Sequence, residues 1–422
     1  MSDLGWKHLT PSDKEEILRG IEDGVAYGGP YHVEIHPADR CNIDCFFCST
    51  AALRGTDEVP MTRFEELLGE LREAGTRSLR LSGGGEPLFH RNIRDFLKAI
   101  RASGLPIENV TTNGVLLLPD IRELLADTCD HLTVSLNTAD EGTYASMMKT
   151  SPRNFQRVVD NVRELTSLSH RGRKKRGARR PRVLIQYLVW KENYRTIPAM
   201  YRLAREMGAD EILFNGLAFL APEQKMTESE TDEMMGLYED LVRTDEYRRI
   251  GAINSFEQDL SGRVAEMNRR VVAARGGLAR RASRFLQRDD LTVPEKVESF
   301  WNGLRARLSS RASRGLESSC LIGWHSMVIR TTGSVAPCCI LQGKELGNVY
   351  RQSVRDVWHG EAYTRFRSEL VRILREGAAW KHDEAADQTV DSLCGMKGGC
   401  PVGTFYYQPD VPFLRSFNRL LG

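Results

Sequence analysis

The stretch Cys41-Asn42-Ile43-Asp44-Cys45-Phe46-Phe47-Cys48 places three thiols within eight residues, directly after a predicted β-strand at His32–His36. Gaps of three and two residues let one loop place three sulfur atoms around a metal ion or a small metal cluster. Three thiolates can bind three irons of a cubane 4Fe-4S cluster and leave the fourth iron open to a non-protein ligand. A structural zinc ion would need a fourth side chain, which His36 or His90 could supply. On spacing alone both metals remain open, because soft thiolates suit both.

A Gly-rich turn follows the second predicted strand, Ser78–Ser82. Its residues are Leu81-Ser82-Gly83-Gly84-Gly85-Glu86-Pro87. They fit neither the phosphate-binding loop that ends in Gly-Lys-Ser/Thr nor the dinucleotide-binding fingerprint. Taken alone, such a turn is most simply a loop.

The three-cysteine loop, with the aromatic Phe47 just before its third cysteine, and the Gly-Gly-Glu turn about forty residues later resemble the radical S-adenosylmethionine (SAM) superfamily. The resemblance implies that Cys41, Cys45 and Cys48 hold a 4Fe-4S cluster whose open iron chelates the amino and carboxylate groups of SAM. Reductive cleavage would then release methionine and a 5′-deoxyadenosyl radical, which abstracts hydrogen from a substrate. It also implies an external electron donor such as flavodoxin or ferredoxin. The hard chemistry would belong to the cofactor, and the protein would position it.

The same resemblance implies where SAM binds. Backbone groups of Gly84 and Gly85 and the carboxylate of Glu86 are expected to hold the methionyl ammonium. Lys149 stands where many relatives carry an arginine near the SAM carboxylate, although a lysine cannot make the bidentate contact. Residues at the ends of the third and fourth strands fall where ribose or carboxylate contacts are expected. The implied cofactor-binding residues are therefore Phe47, Gly84, Gly85, Glu86, Asn113, Ser135, Asn137 and Lys149.

A second group of cysteines lies in the last quarter of the chain. The spacing across 320–338 and the Gly-rich stretch Cys394–Cys400 resemble the SPASM extension, or its shorter twitch form, of many radical SAM enzymes. That resemblance implies one auxiliary 4Fe-4S cluster, with tetrahedral zinc as the alternative. Cys339 would point away from Cys338 on a strand and is expected to be a bystander, and Cys129 is most simply a buried apolar residue. The implied auxiliary ligands are Cys320, Cys338, Cys394 and Cys400.

Between Tyr31 and Gly216 the sequence alternates β-like runs with amphipathic stretches. Repeats of this kind predict a parallel sheet wrapped by helices, with its chemistry at the carboxyl ends of the strands. We expect an α/β fold: a partial (β/α)6 TIM-like barrel with a helical linker and a small C-terminal α+β auxiliary-cluster domain. The predicted strands are His32–His36, Ser78–Ser82, Asn109–Thr112, His131–Leu136, Arg182–Val189 and Glu211–Asn215, and a hairpin is predicted at Ser326–Arg330 and Ser334–Cys338. The predicted division is a helical extension at 1–30, the barrel at 31–216, an Arg-rich helical linker or insertion at 217–316, the auxiliary-cluster domain at 317–407 and a tail at 408–422.

Composition limits the class of protein and its partners. The 422 residues include 59 Lys and Arg against 57 Asp and Glu, a balance that disfavours a general nucleic-acid-binding protein. No apolar stretch approaches the roughly 18 residues that cross a bilayer, and the start lacks the apolar core of a signal peptide. We therefore expect a cytoplasmic protein. Basic runs at 171–182 and 263–314 fit a solvated surface or, in the alternative, an anionic substrate or partner.

The resemblance leaves several substrates open. Relatives with one auxiliary cluster include dehydrogenases and dehydratases of sugars and aminocyclitols, as well as peptide-modifying enzymes. Peptide-modifying relatives often begin with a leader-recognition domain, whereas only about thirty residues precede the first predicted strand. We expect a small polar natural-product or sugar/aminocyclitol-type substrate that undergoes dehydrogenation or elimination, which makes the enzyme an oxidoreductase or a lyase. Modification of a ribosomal peptide is the alternative, and a zinc-binding interaction protein is a distant one.

Overall fold

A computed structural model describes residues 6–48, 50–51, 54–172, 181–216, 226–243, 251–255, 322–339, 341 and 344–376. The chain divides into two compact units, one of Met1–Ser255 with Leu321–Glu369 and one of Phe256–Cys320 with Leu370–Gly422. The first unit contains every described residue except 370–376.

The described strands are β1 (His32–Ile35), β2 (Ser78–Leu81), β3 (Ile107–Thr112), β4 (Cys129–Ser135), β5 (Arg182–Val189), β6 (Glu211–Gly216), β7 (Gly251–Ser255), β8 (Ser326–Ile329), β9 (Ser334–Ala336) and β10 (Gly347–Asn348). The described α-helices are α1 (Pro11–Asp23), α2 (Met61–Glu73), α3 (Ile93–Ser103), α4 (Pro119–Thr128), α5 (Glu141–Met148), α6 (Arg153–Gly172), α7 (Ile197–Glu206), α8 (Glu228–Arg243), α9 (Ile322–His325), α10 (Val354–His359) and α11 (Glu361–Glu376).

All ten strands belong to one sheet, in the order β10-β9-β8-β1-β2-β3-β4-β5-β6-β7. Strands β1 to β7 pair in parallel, each with the next along the chain. The predicted α/β architecture is confirmed, and the order is consistent with a partial barrel.

Two strands extend the sheet beyond the six predicted for the barrel. Strand β7 follows β6 in parallel and lies in the segment for which the sequence predicts a helical linker. Strand β8 pairs in parallel with β1 at the other side and in antiparallel with β9, which confirms the predicted hairpin. Because β1 lies between β2 and β8, strands β8 to β10 belong to the same sheet as the barrel strands.

Helices α2 and α3 show how the layers form. Their apolar residues recur at helical spacing, so each helix presents one apolar stripe to the sheet. Phe64 of α2 and Phe96 of α3 are fully buried and stack with ring centroids 3.5 Å apart. The buried residues of these stripes are Phe64, Leu67, Leu68 and Leu71 in α2 and Ile93, Phe96, Leu97 and Ile100 in α3.

The two faces of the sheet differ in polarity. On β1, Val33 and Ile35 are fully buried on one face, and Glu34 and its alternate neighbours lie on the other. The polar face carries polar contacts both along the β1 segment and between neighbouring strands. His36 Nε2 and Glu34 Oε1 are 2.9 Å apart, and Arg80 Nε lies 3.6 Å from Glu34 Oε2. Arg80 Nη2 also donates to Thr111 Oγ1 at 3.3 Å. A polar surface therefore runs from β1 to β3 towards the carboxyl ends of the strands.

Candidate active site

A cavity lies where the parallel strands end, as the βα pattern predicts. It collects residues from the loop after β1, the turn after β2 and the ends of β3, β4 and β5. Its lining residues are Cys41, Ile43, Cys45, Phe47, Cys48, Thr50, Arg54, Ser82, Gly83, Gly84, Gly85, Glu86, Pro87, Thr111, Thr112, Asn113, Ser135, Asn137, Met148 and Leu188. The cavity therefore contains the three cysteines and seven of the eight predicted cofactor-binding residues.

The cysteine loop is anchored to the C-terminal end of α5. The backbone N–H groups of Asp44 and Phe46 donate to the carbonyl oxygens of Met148 and Met147, at 3.1 and 3.2 Å. The Cys45 thiol contacts Met148 Sδ at 3.2 Å. Burial raises the pKa of Cys45 to about 12, so the thiol is protonated when no metal is bound. Cluster binding must displace such protons, because only thiolates ligate iron.

On the other side of the cavity the Gly-rich turn packs against the chain that leads into the cysteine loop. The N–H groups of Gly85 and Glu86 donate to the carbonyl oxygens of Ala38 and Arg40, at 3.1 and 2.9 Å. A Cβ on Gly85 would lie 2.1 Å from the Arg40 oxygen, so only glycine fits there. Thr50, just past the third cysteine, donates to the Gly84 carbonyl at 3.0 Å. These contacts fix the distance between the thiols and the turn.

Glu86 is nearly fully buried, with 3% of its surface exposed. Its carboxylate accepts hydrogen bonds from the Thr112 hydroxyl at 2.6 Å and from the N–H groups of Asn113 and Leu88 at 2.8 and 3.2 Å. Burial nevertheless raises its pKa to about 7. The carboxylate is therefore held rigidly against the end of β3, at the edge of the cavity.

Asn137 supplies an unused donor to the same cavity. Its Oδ1 accepts from the Leu188 N–H at 2.8 Å, whereas its Nδ2 is buried and has no hydrogen-bond partner. An unpaired buried amide is costly unless a ligand satisfies it. The side-chain Nδ2 of Asn113, by contrast, donates a hydrogen bond to Asn42 Oδ1 at 2.8 Å. The same nitrogen lies 3.8 Å from Cys41 Sγ.

Two cationic side chains, Lys149 and Arg54, lie near the cysteine loop. Lys149 is described but does not line the cavity: its side chain is 57% exposed, and its Nζ lies 3.9 Å from Asp44 Oδ2. Arg54 does line the cavity, in the loop beyond the third cysteine. A single arginine in a loop has no sequence signal that would have singled it out.

The donor set fits an iron–sulfur cluster better than a single ion. Within the described part of the chain, no three His, Cys, Asp or Glu side chains could together hold one metal ion. A zinc ion needs its ligands gathered around one atom. A cubane spaces its thiolates more widely, because each binds a different iron.

Of the four predicted auxiliary ligands, Cys338 lies among the described residues. Cys338 is buried after β9, and the Leu341 N–H donates to its sulfur at 3.4 Å. Cys320, Cys394 and Cys400 lie outside the described residues. Cys129 is 2% exposed, and its thiol donates to the His131 carbonyl at 2.8 Å, so its prediction as a buried residue is confirmed.

No helix of the described residues combines the length and apolar character that a membrane span requires.

Comparison with known proteins gives two family matches. Residues 35–204 match the family model described as radical SAM superfamily, and residues 320–389 match the model SPASM, an iron–sulfur cluster-binding domain. The second match includes Cys320 and Cys338 and ends before Cys394 and Cys400.

Two curated relatives illustrate the similarity in sequence. GTP 3′,8-cyclase of Rhodopirellula baltica is 33% identical over 136 residues, which are 31% of this chain and 37% of that protein. A probable GTP 3′,8-cyclase of Methanosarcina acetivorans is 29% identical over 170 residues, 37% of this chain and 47% of that protein. The chain thus spans between a third and a half of the length of these relatives.

Solved structures share the fold over more of the chain. Streptococcus suis SuiB bound to S-adenosylmethionine has a TM-score of 0.57 at 16% identity, covering 92% of this chain and 76% of that one. The protein anSMEcpe with bound AdoMet and a Cp18Cys peptide has a TM-score of 0.53 at 14% identity, covering 93% of this chain and 99% of that one. With the cysteine loop, the Gly-Gly-Glu turn and both family matches in place, this chain belongs to the radical SAM superfamily, uses SAM with a 4Fe-4S cluster, and carries a SPASM iron–sulfur cluster-binding domain.

Proposed function

We propose that the protein cleaves SAM reductively, abstracts a hydrogen atom from a small polar substrate and leaves that substrate oxidised. The observation that carries the proposal is the cavity itself, in which three thiols, the Gly-Gly-Glu turn and an unpaired Asn137 amide face one space. When bound, the cluster supplies the electron that splits SAM into methionine and a 5′-deoxyadenosyl radical.

The residues of the chain bind and orient these groups. Cys41, Cys45 and Cys48 ligate three irons. Glu86 sits at the edge of the cavity, where its carboxylate can pair with the methionyl ammonium of SAM. Asn137 Nδ2 is a donor suited to a ribose hydroxyl or a carboxylate.

A polar substrate is supported by the polar face of the sheet. Thr111 lines the cavity, and its hydroxyl accepts from Arg80, which pairs with Glu34 on the same face. Buried polar groups of this kind favour a ligand that can hydrogen-bond with them. The two curated relatives are named for a reaction of GTP, which is also a small polar molecule.

Oxidation is supported by the SPASM match, because such a domain binds an iron–sulfur cluster that can accept an electron. After hydrogen abstraction, the substrate radical loses one proton and one electron. The product then has two hydrogens fewer, as in an alcohol converted to a ketone, and one SAM is consumed per product.

Deuterium transfer tests the proposal. Anaerobically reconstituted protein is incubated with SAM, a strong reductant and deuterated candidates from two sets: small sugars, aminocyclitols and nucleotides, and short peptides. We expect deuterium in 5′-deoxyadenosine from a member of the first set, with a product two hydrogens lighter. Transfer from peptides alone would contradict the proposed substrate class. SAM cleavage by a variant with Cys41, Cys45 and Cys48 all changed to Ala would contradict the assignment of the cluster.

A further inference from the structure

We infer that Arg54 binds the carboxylate of SAM, in the role that the family resemblance assigns to Lys149. This inference rests on the proposed function, since it needs SAM in the cavity. It names the residue that recognises the one anionic group of that molecule.

Arg54 lies in the cavity, next to the cysteine loop. Its side chain lines the cavity together with Cys48 and Gly84, and 20% of it is exposed. An arginine guanidinium stays protonated throughout the physiological pH range. Arg54 is therefore a cation beside the cysteines.

The side-chain donors of Arg54 are only partly used by the residues around it. Nη1 donates to Asp44 Oδ1 at 2.8 Å and to the Ile43 carbonyl at 3.3 Å. Nε is buried and has no hydrogen-bond partner. The Nε and Nη2 groups of any guanidinium point in parallel, the geometry that matches a carboxylate. The other polar neighbour of the Arg54 side chain is Cys48, with which it makes a hydrogen bond. Asp44 neutralises the cation only weakly, because its side chain is 66% exposed to solvent.

Lys149 lacks these properties. Its side chain is 57% exposed, and its nearest carboxylate is also that of Asp44, at 3.9 Å. Asp44 thus lies between the two cations, with Arg54 on the cavity side. Lysine also lacks the planar fork of arginine.

The methionyl group of SAM has two charged ends, which suit two places in the cavity. Glu86 and the Gly-rich turn provide the acidic site that binds the ammonium. Arg54, in the loop that follows Cys48, provides the basic site that binds the carboxylate. A ligand held at both ends would present its sulfonium in one orientation.

The test compares two ligands and three variants in reconstituted full-length protein. One ligand is SAM, and the other is 5′-methylthioadenosine, which keeps the adenosine and the sulfur, as a neutral thioether, but lacks the methionyl amino and carboxylate groups. The variants are Arg54→Gln, Arg54→Lys and the matched control Lys149→Gln, all compared at equal iron content. Equilibrium dissociation constants are measured without reductant, so the readout does not depend on turnover.

We expect Arg54→Gln to weaken SAM binding by about 10- to 100-fold, the range for losing a hydrogen bond to a charged group. Binding of 5′-methylthioadenosine should change by less than about twofold, and Arg54→Lys should lie between wild type and Arg54→Gln. Lys149→Gln should bind SAM nearly as wild type does.

Each alternative role for these residues predicts a different result. If Lys149→Gln loses SAM affinity and Arg54→Gln keeps it, Lys149 holds the carboxylate. If Arg54→Gln weakens both ligands equally, or shifts the midpoint potential of the SAM-free cluster at unchanged SAM affinity, Arg54 serves the cluster instead. Failure of the wild type itself to bind SAM would overturn the proposed function and this inference with it.

Discussion

Glu86 shows how a single buried group links pH to cofactor binding. Burial raises its pKa to about 7, so the carboxyl is mostly neutral at pH 6 and mostly ionised at pH 8. Only the ionised form attracts an ammonium group. We expect SAM affinity of the reconstituted protein to rise about tenfold more between pH 6 and pH 8 in wild type than in Glu86→Gln. Equilibrium binding at pH 6, 7 and 8 measures the difference.

The amino group of SAM titrates equally in both proteins, so the comparison isolates Glu86. Glu86→Gln should also bind SAM more weakly at pH 8, because it has lost the charge. Parallel pH curves for the two proteins would mean that Glu86 does not pair with the ligand.

The connection between β5 and α7 is held by one asparagine. Asn193 is fully buried. Its Nδ2 donates to the carbonyl oxygens of Asn137 and Leu188, at 2.8 and 2.7 Å. Its Oδ1 accepts from the Trp190 N–H at 2.8 Å. The side chain thus joins the end of β4 to the end of β5, where the cavity lies. We expect Asn193→Ala to lower the free energy of unfolding by about 2–4 kcal/mol, since two backbone carbonyls and one backbone N–H each lose a hydrogen bond. Urea unfolding of the cluster-free protein measures it.

Asn154→Ala is the matched control, because that half-buried side chain makes one hydrogen bond, to Thr150 at 2.7 Å. It should cost no more than about 1 kcal/mol. Equal losses in the two variants would contradict the account of Asn193.

The same elements show which parts of the molecule the sequence predicts. Local patterns sufficed for β1 to β6, because each strand is a short apolar run next to an amphipathic helix. The cysteine loop and the Gly-rich turn could be predicted because their metal-ligating or ligand-binding residues lie close together in the sequence. Asn193 and Arg54 could not, because a single asparagine or arginine in a loop carries no sequence pattern, and its contacts depend on how that loop folds. The pairing of β8 with β1 was missed for the same reason, since these strands are nearly 300 residues apart.

At the scale of the whole molecule, residues 322–369 are tied to residues 25–39 by more than the β1–β8 pairing. The indole N–H groups of Trp324 and Trp358 donate to the carbonyl oxygens of Val25 and Gly28, at 3.0 and 2.9 Å. The Thr331 hydroxyl donates to Asp39 at 2.7 Å, just before the cysteine loop. We therefore expect these elements to open as one cooperative unit.

Trp358→Ala tests whether this unit is cooperative. Trp358 is fully buried, and the Arg367 guanidinium lies 4.5 Å from its ring centroid, so the change removes a large packed side chain and should cost about 3–5 kcal/mol. Native-state hydrogen exchange should show this loss equally at the amides of β8 and of β1, although Trp358 belongs to neither strand. Arg365→Ala, at a site 70% exposed on α11, should change both by less than about 0.5 kcal/mol. If Trp358→Ala lowered protection in 322–369 and left β1 and β2 unchanged, this segment would unfold on its own, and the sheet would not transmit stability between the cysteine loop and the SPASM match.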